Sequence, residues 1–264
     1  MSAAVSPGTQ ERQADVSDVV RYVLRLGDDA LIHAQRMGEW IAAAPQLEED
    51  VALGNIALDL LGQARSLLTY AGELEGAGRD EDTLAYLRDE RDFVNAQLFE
   101  LANGDFGFTM ARLLVTSAYQ LELYRGLTSS QDATVAAVAA KAVKEVDYHR
   151  DHATQWTRRL GDGTEESRRR MQQGIDDVWP YVAELFESDD LVTRLSAAGV
   201  AVDPASLEEP TIGYVDQVLV AATLRRPETR VRHRGGRRGV HTEQMGYLLA
   251  EMQVLHRAHP GAAW

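Results

Sequence analysis

One segment in the middle of the chain repeats apolar residues at alternating steps of four and three. Its positions are Val135, Ala139, Ala142, Val146, His149, Ala153, Trp156 and Leu160. Residues at this spacing share one face of an α-helix, so the segment predicts a long helix with a buried inner face. His149 belongs to that face, and Glu145 and His152 lie one turn away from it. The pattern therefore predicts titratable groups inside a helical core.

The same periodicity predicts helices along most of the chain. We expect them over 17–43 with Ser17 as N-cap, 48–75, 80–91, 106–127, 132–160 after a capping box of Ser129 and Asp132, 164–186, and 242–259, with another beginning at Asp203 and Pro204. The inner stripe of the first is predicted as Val20, Leu24, Gly27, Leu31, Ala34, Gly38 and Ile41, and that of the second as Leu53, Ala57, Leu60, Ala64, Leu67, Ala71 and Leu74. No alternating segment predicts a strand.

These elements predict an all-α fold with four long helices in a bundle and additional C-terminal helices packed on it. We expect residues 17–264 to form one domain, because no linker divides them. Residues 1–16 are polar and lack the apolar region of a signal peptide, which is typical of a disordered tail.

Composition excludes several classes of function. The chain has no cysteine, so disulfides, thiolate metal sites and cysteine nucleophiles are excluded. A net charge of −14 argues against general binding to nucleic acid. No apolar run is long enough to predict a transmembrane helix. We therefore expect a cytoplasmic protein.

Acids and histidines on the inner faces raise the question of a di-iron centre. Such a centre takes a glutamate from each of two helices and a Glu-x-x-His pair from each of the other two. The candidate positions here are Glu39, Asp59, Glu122, Glu145 and His149. Neither Glu-x-x-His pair is present, because Gly62 lies three residues after Asp59 and Tyr148 lies three after Glu145.

Three interpretations of these residues stay open. The first is a hydrogen-bonded network in a degenerate site that holds no metal, since buried charges persist when they are paired. The second is a working di-iron centre with an unconventional ligand set. The third is a single metal ion at Glu145, His149 and His152. The first interpretation predicts no metal, no cofactor and no catalytic residue in this chain.

Several sequence motifs resemble one known family. They are LRLGDDALIHAQRMGEW, LDLLGQARSLLTYAGELEG, LAYLRDERDFVN, AVKEVDYH, RRMQQ with VWPYVAELF, GVAVDP, GGRRGVHTEQMGYLLAEMQ and the final Trp264. In this order they resemble the C subunits of bacterial multicomponent phenylacetyl-CoA 1,2-epoxidases, from about Tyr22 to Trp264.

The resemblance implies a ferritin-like fold and a place in a complex that epoxidises the aromatic ring of phenylacetyl-CoA with O2. In that family a sister A subunit holds the di-iron centre and the substrate, and the C subunit pairs with it as a structural partner. A small B subunit bridges the pairs. A reductase subunit with flavin and iron–sulfur cofactors supplies electrons from NADPH. The resemblance thus implies an accessory subunit, with the chain's own di-iron oxygenase activity and iron storage as the alternatives.

One basic segment stands out in the acidic chain. From Arg225 to Arg238 there are seven arginines and one acid, Glu228. Arginine binds phosphate and carboxylate groups in bidentate fashion, so Arg234, Arg237 and Arg238 are candidates for contact with a partner subunit or with coenzyme A. The alternative is a solvated loop whose charges offset the acidic remainder.

Overall fold

The structure, a computed structural model, describes residues 14–262, and helices are the only regular secondary structure within that range. The α-helices are α1 (Val16–Gly38), α2 (Leu47–Glu75), α3 (Glu81–Tyr86), α4 (Gln97–Glu100), α5 (Phe106–Leu127), α6 (Ala133–Gly161), α7 (Glu165–Val182), α8 (Asp190–Ala197), α9 (Glu208–Ala221) and α10 (Glu243–Ala258). The predicted all-α class is confirmed. Residues 1–13 of the predicted tail, together with Ala263 and Trp264, lie outside the described residues.

The architecture is a ferritin-like bundle built from two helical hairpins. Helix α1 packs along α2, and α5 packs along α6. Helix α2 also contacts α6, which joins the hairpins, and α7 and α9 cover α5. No helix in the described part of the chain is long and apolar enough to cross a membrane.

Two predicted helix starts are confirmed to within a residue, but their capping groups are different ones. Asp15, not Ser17, caps α1, and its carboxylate accepts the amide of Ser17 at 2.8 Å. Asp132 itself caps α6 by accepting the amides of Thr134 and Val135, so Ser129 takes no part in a capping box. The capping side chain satisfies amides that the first helical turn leaves free.

Other boundaries differ in length. Helix α1 ends at Gly38 rather than residue 43, and the helix predicted over 80–91 is only the six residues of α3. The end of the helix predicted over 164–186 is a 3-10 turn at Ala183–Phe186, and the segment after Asp203 opens with another 3-10 turn before α9. Periodicity does not predict the short helices α4 and α8, because elements of one or two turns carry too little of it.

The predicted stripe of α6 is largely confirmed. Its first six members, from Val135 to Ala153, are buried. Towards the end of the helix the buried positions become Thr157 and Gly161, while Trp156 and Leu160 are half-buried. An α-helix has 3.6 residues per turn, so a stripe drawn with a mean step of 3.5 drifts off the buried face over a helix of this length.

The predicted inner stripe of α1 is only partly right, because Ile41 lies exposed beyond the end of the helix and burial is not confined to the stripe. Almost every residue from Tyr22 to Met37 is buried, including Arg25, Asp28 and His33. The helix packs along α2 and also contacts α4 and α8. Ionisable residues of α1 that would point to solvent in an outer helix therefore lie inside the protein.

Candidate functional site

The structure brings three of the five candidate metal positions together where α2 meets α6. His149 is fully buried, and its Nε2 lies 3.1 Å from Oδ2 of Asp59. One turn earlier on α6, Glu145 accepts a hydrogen bond of 3.0 Å from the Gln63 amide. The other Glu145 oxygen lies 3.2 Å from Nζ of Lys141. Each acid is thus already paired with a group of the protein.

The other two candidate positions are not part of this cluster. Glu39 follows the end of α1, where it accepts hydrogen bonds from Arg36 at 2.7 Å and from Asn103 at 2.9 Å. Glu122 pairs with Arg125 on the outer side of α5 at 2.8 Å. Their carboxylates are therefore engaged elsewhere.

These residues do not fit a di-iron centre. Within residues 14–262 no three histidine, aspartate or glutamate side chains gather around a point where they could hold a metal ion. Two iron ions in a helical bundle take four carboxylates and two imidazoles. Here a neutral amide, Gln63, and a cation, Lys141, each contact one oxygen of Glu145, and an ammonium group repels a metal cation.

A second acid–histidine pair lies at the same interface between α2 and α6. Nε2 of His152 is 3.1 Å from Oε2 of Glu49. Burial lowers the pKa of His152, and Glu49 opposes that shift. His152 therefore faces Glu49 rather than Glu145, which separates it from the single-metal set of Glu145, His149 and His152. Farther along, the Tyr70 hydroxyl donates to Asp132 at 2.7 Å. The interface between α2 and α6 thus contains a series of polar pairs along its length.

His33 of α1 is a central residue that the sequence analysis missed. It is fully buried against Phe99, with ring centroids 5.5 Å apart, and neither ring nitrogen has a hydrogen-bond partner among the described residues. Burial lowers the pKa of His33 well below 6.5, and the nearby charges of Arg112 and His149 add to that shift. The imidazole is therefore neutral in the folded protein. The spacing of Arg25, Asp29, His33 and Arg36 forms a second stripe on α1 that could have identified it.

The buried imidazole predicts a specific pH dependence of stability. Below pH 6.5 the unfolded chain protonates His33 and the folded chain does not, so this residue destabilises the protein as pH falls. Relative to His33→Leu, the wild type should lose up to about 1.4 kcal/mol per pH unit between pH 6.5 and 5. Urea denaturation of both proteins at several pH values measures the difference. A difference that stays constant over this range would show that His33 is protonated in the folded state.

Buried ion pairs hold two connecting segments against α1. Asp28 pairs with Arg88, and both side chains are almost completely buried. The next residue, Asp29, forms a bidentate pair with Arg237, with distances of 2.9 and 2.8 Å. Burial raises the pKa of Asp29 to about 6, while Arg237 favours the charged carboxylate. The pair therefore remains charged at pH 7.

The three candidate arginines of the basic segment have different environments. Arg237 is largely buried, and its guanidinium is engaged by Asp29 of the same chain. Arg234 is half-exposed and lies 2.5 Å from Glu187. Arg238 is exposed. The basic segment is thus partly held against the rest of the protein by ion pairs, an arrangement that we call the internal clamp. Composition does not predict it, because Asp29 and Glu187 are far from the segment in sequence.

Two further buried carboxylates, which the sequence did not predict, complete this clamp. Glu184 accepts the backbone amides of Gln97 at 2.8 Å and of Gly235 at 2.7 Å. Glu100 contacts Nδ1 of His241 at 2.6 Å. Burial by itself would lower the pKa of His241, but the contact with Glu100 outweighs it and raises that pKa. These buried ionisable groups thus connect segments that are distant in the sequence.

Comparison with known proteins agrees with the resemblance of the motifs. The model of the phenylacetic acid catabolic protein family matches residues 1–264. The chain is 47% identical over 249 residues to the C subunit of the 1,2-phenylacetyl-CoA epoxidase of Escherichia coli (strain K12), and the match covers 94% of this chain and 100% of that protein.

Proposed function

Because the chain belongs to the phenylacetic acid catabolic protein family, we propose that it is a non-catalytic subunit of a phenylacetyl-CoA epoxidase. It pairs with the di-iron catalytic A subunit and stabilises it. The catalytic subunit binds phenylacetyl-CoA and carries out the epoxidation of its ring with O2. This chain contributes structure to the complex.

The state of the bundle interior carries this proposal. Asp59 is engaged by His149, and Glu145 by Gln63 and Lys141. An enzyme that used these carboxylates to hold iron would need their oxygens directed at the metal ions. In this chain these carboxylates form hydrogen bonds and ion pairs within the protein, which is consistent with a structural role for the bundle.

The proposal extends to the other components of the complex. A small B subunit bridges the pairs of A and C subunits, and a reductase passes electrons from NADPH through flavin and iron–sulfur cofactors to the A subunit. We also propose that residues 17–264 act as one domain. The complex works in the cytoplasm, where its reductant and its coenzyme A thioester are available.

Iron content tests the proposed role. The chain is produced alone in iron-replete medium, and iron per chain is measured by elemental analysis. We expect iron far below stoichiometric, because the acids lack the arrangement that a di-iron centre needs. In the same experiment the chain is co-produced with the A subunit, and we expect the two to purify together with iron that follows the A subunit.

A content of ~2 iron atoms per chain in the isolated protein would overturn the proposal and favour a di-iron oxygenase with an unusual ligand set. The Glu145→Ala and His149→Ala variants would then show whether that iron depends on this cluster. A large self-assembled shell that accumulates iron would favour storage instead.

A further inference from the structure

A small cavity lies where α1, α5, the beginning of α8 and the end of the basic segment meet. Its volume is about 90 Å³, and protein encloses most of it. Its apolar walls are formed by Leu26, Leu123, Leu185, Val192, Val202 and Pro204. Polar side chains also line it, among them Tyr22 and Arg25 of α1 and Arg238 of the basic segment. Cavities that stay empty in proteins are lined by apolar groups alone, so this lining is that of a binding site.

The side chain of Tyr22 is the clearest polar feature of the cavity. Tyr22 is only 4% exposed, and its hydroxyl oxygen has no hydrogen-bond partner among the described residues. Burial raises the pKa of Tyr22, so the hydroxyl keeps its proton and can act as a donor. Buried polar groups in native proteins are nearly always hydrogen-bonded, and those that the protein leaves unpaired commonly bind a ligand or a water molecule. Tyr22 therefore offers a hydrogen bond to an acceptor in the cavity.

The carboxylates that line the cavity are already used by the protein itself. Glu184 accepts two backbone amides. Asp189 pairs with Arg25, and Glu187 pairs with Arg234. Each of these acids thus has its own donor within the chain, and the lining does not favour a metal ion or an amine.

The arginines of the lining have unused donors instead. Arg25 is 7% exposed, and its guanidinium makes two hydrogen bonds, both to Asp189, although a guanidinium carries five N–H groups. The side chain of Arg238 is exposed and forms no ion pair or hydrogen bond within residues 14–262. Paired N–H groups of arginine match the two oxygens of a carboxylate. The groups that are free to bind a ligand are therefore donors, and the matching ligand carries acceptors.

The size and polarity of the cavity limit which acceptor fits. An apolar cavity that takes a benzene ring has a volume of roughly 150 Å³, so a cavity of about 90 Å³ excludes an aromatic ring. A phosphate dianion would place several oxygens against apolar walls, which is unfavourable because those oxygens would lose their hydrogen bonds to water. A short carboxylate has only two oxygens, and its alkyl group can lie against the apolar walls.

We propose that this cavity binds a small aliphatic monocarboxylate of the size of acetate or propionate. Tyr22, Arg25 and Arg238 donate to its oxygens, and its alkyl group lies against Leu26 and Leu123. The ligand connects α1 to the end of the basic segment, so its binding strengthens the internal clamp and stabilises the folded chain. The site belongs to this chain alone and does not depend on the proposed function.

Titration of the full chain with sodium acetate and sodium propionate tests this proposal. Saturation-transfer NMR reports binding of the ion, and the rise in Tm reports stabilisation, with sodium chloride used to hold the ionic strength constant. The affinity of an ion as small as acetate has a ceiling near a Kd of roughly 40 µM, so the titration extends to roughly 50 mM. We expect saturable binding of both carboxylates. Phenylacetate, which carries an aromatic ring, should not displace them.

Two variants locate the site. Tyr22→Phe removes only the hydroxyl and should weaken the affinity about tenfold, because it removes a hydrogen bond to a charged group. The matched control is Tyr247→Phe, since Tyr247 is 70% exposed on α10 and should not affect binding. Arg238→Gln changes an exposed side chain without touching the core, and it should also weaken the affinity about tenfold. Circular dichroism verifies that each variant is folded.

The other outcomes overturn the proposal. Wild-type affinity in both Tyr22→Phe and Arg238→Gln would show that the carboxylate binds elsewhere. A Tm that follows ionic strength alone, with no saturable NMR signal, would show that the cavity holds only water. Tighter binding of inorganic phosphate would contradict the assignment to a monocarboxylate, and displacement of acetate by phenylacetate would contradict the size limit.

Discussion

Asp28→Ala should lower the free energy of unfolding by about 3–5 kcal/mol. Asp28 is fully buried on α1, where it pairs with Arg88 and also accepts the backbone amide of Val94 at 2.9 Å. Its removal leaves the buried Arg88 guanidinium without a counter-charge, and a buried charge without a partner is strongly unfavourable. Urea denaturation followed by circular dichroism at pH 7 measures the loss.

Two controls identify the cause of this loss. Asp147→Ala removes an acid of the same type from a surface pair with Arg150 and should change stability by less than about 1 kcal/mol. The double variant Asp28→Leu with Arg88→Met removes both charges and should recover part of the loss. Recovery stays incomplete because Arg88 also donates to Leu84 and Asp92. A loss for Asp28→Ala no larger than that of Asp147→Ala would contradict the role of the pair.

Gly236→Ala should destabilise the protein by about 1–3 kcal/mol or more and loosen the basic segment. A Cβ on Gly236 would clash with the carbonyl oxygen of Asn95 and lie 2.9 Å from the amide nitrogen of Gln97. These are backbone atoms, so no side-chain rotation relieves the contact. The segment has to move, and the adjacent Arg237 moves with it, away from Asp29.

Limited proteolysis reports this movement directly. Trypsin cleaves after arginine, so the displaced segment should be cut faster at Arg237 and Arg238 than in the wild type. The matched control is Gly246→Ala on α10, where a Cβ would meet only the Glu90 carboxylate at 3.5 Å. The Gly246→Ala variant should be more stable than the wild type by about 0.5–1 kcal/mol, because alanine is more favourable than glycine within a helix. Equal cleavage rates in Gly236→Ala and wild type would show that the segment tolerates the methyl group in place.

His149 and Glu145 of α6 show how far a local pattern predicts the site. The stripe through His149 predicts its burial, and in the structure Asp59 and Gln63 of α2 contact His149 and Glu145. The same approach fails for α1, where a single stripe is expected and His33 is not identified. A stripe describes a helix with one buried side, whereas α1 is enclosed on nearly all sides.

The sequence by itself determined the long helices and the inner stripes of α2 and α6, because helical periodicity depends on residues only a few positions apart. It also determined membership of the family. Only the tertiary structure decided which charges are paired. Asp28 and Arg88 are 60 positions apart, and Asp29 and Arg237 are 208 apart. No local pattern connects such residues, since the chain path alone brings them together. The same path decided which apolar side chains of α2 became core and which remained exposed.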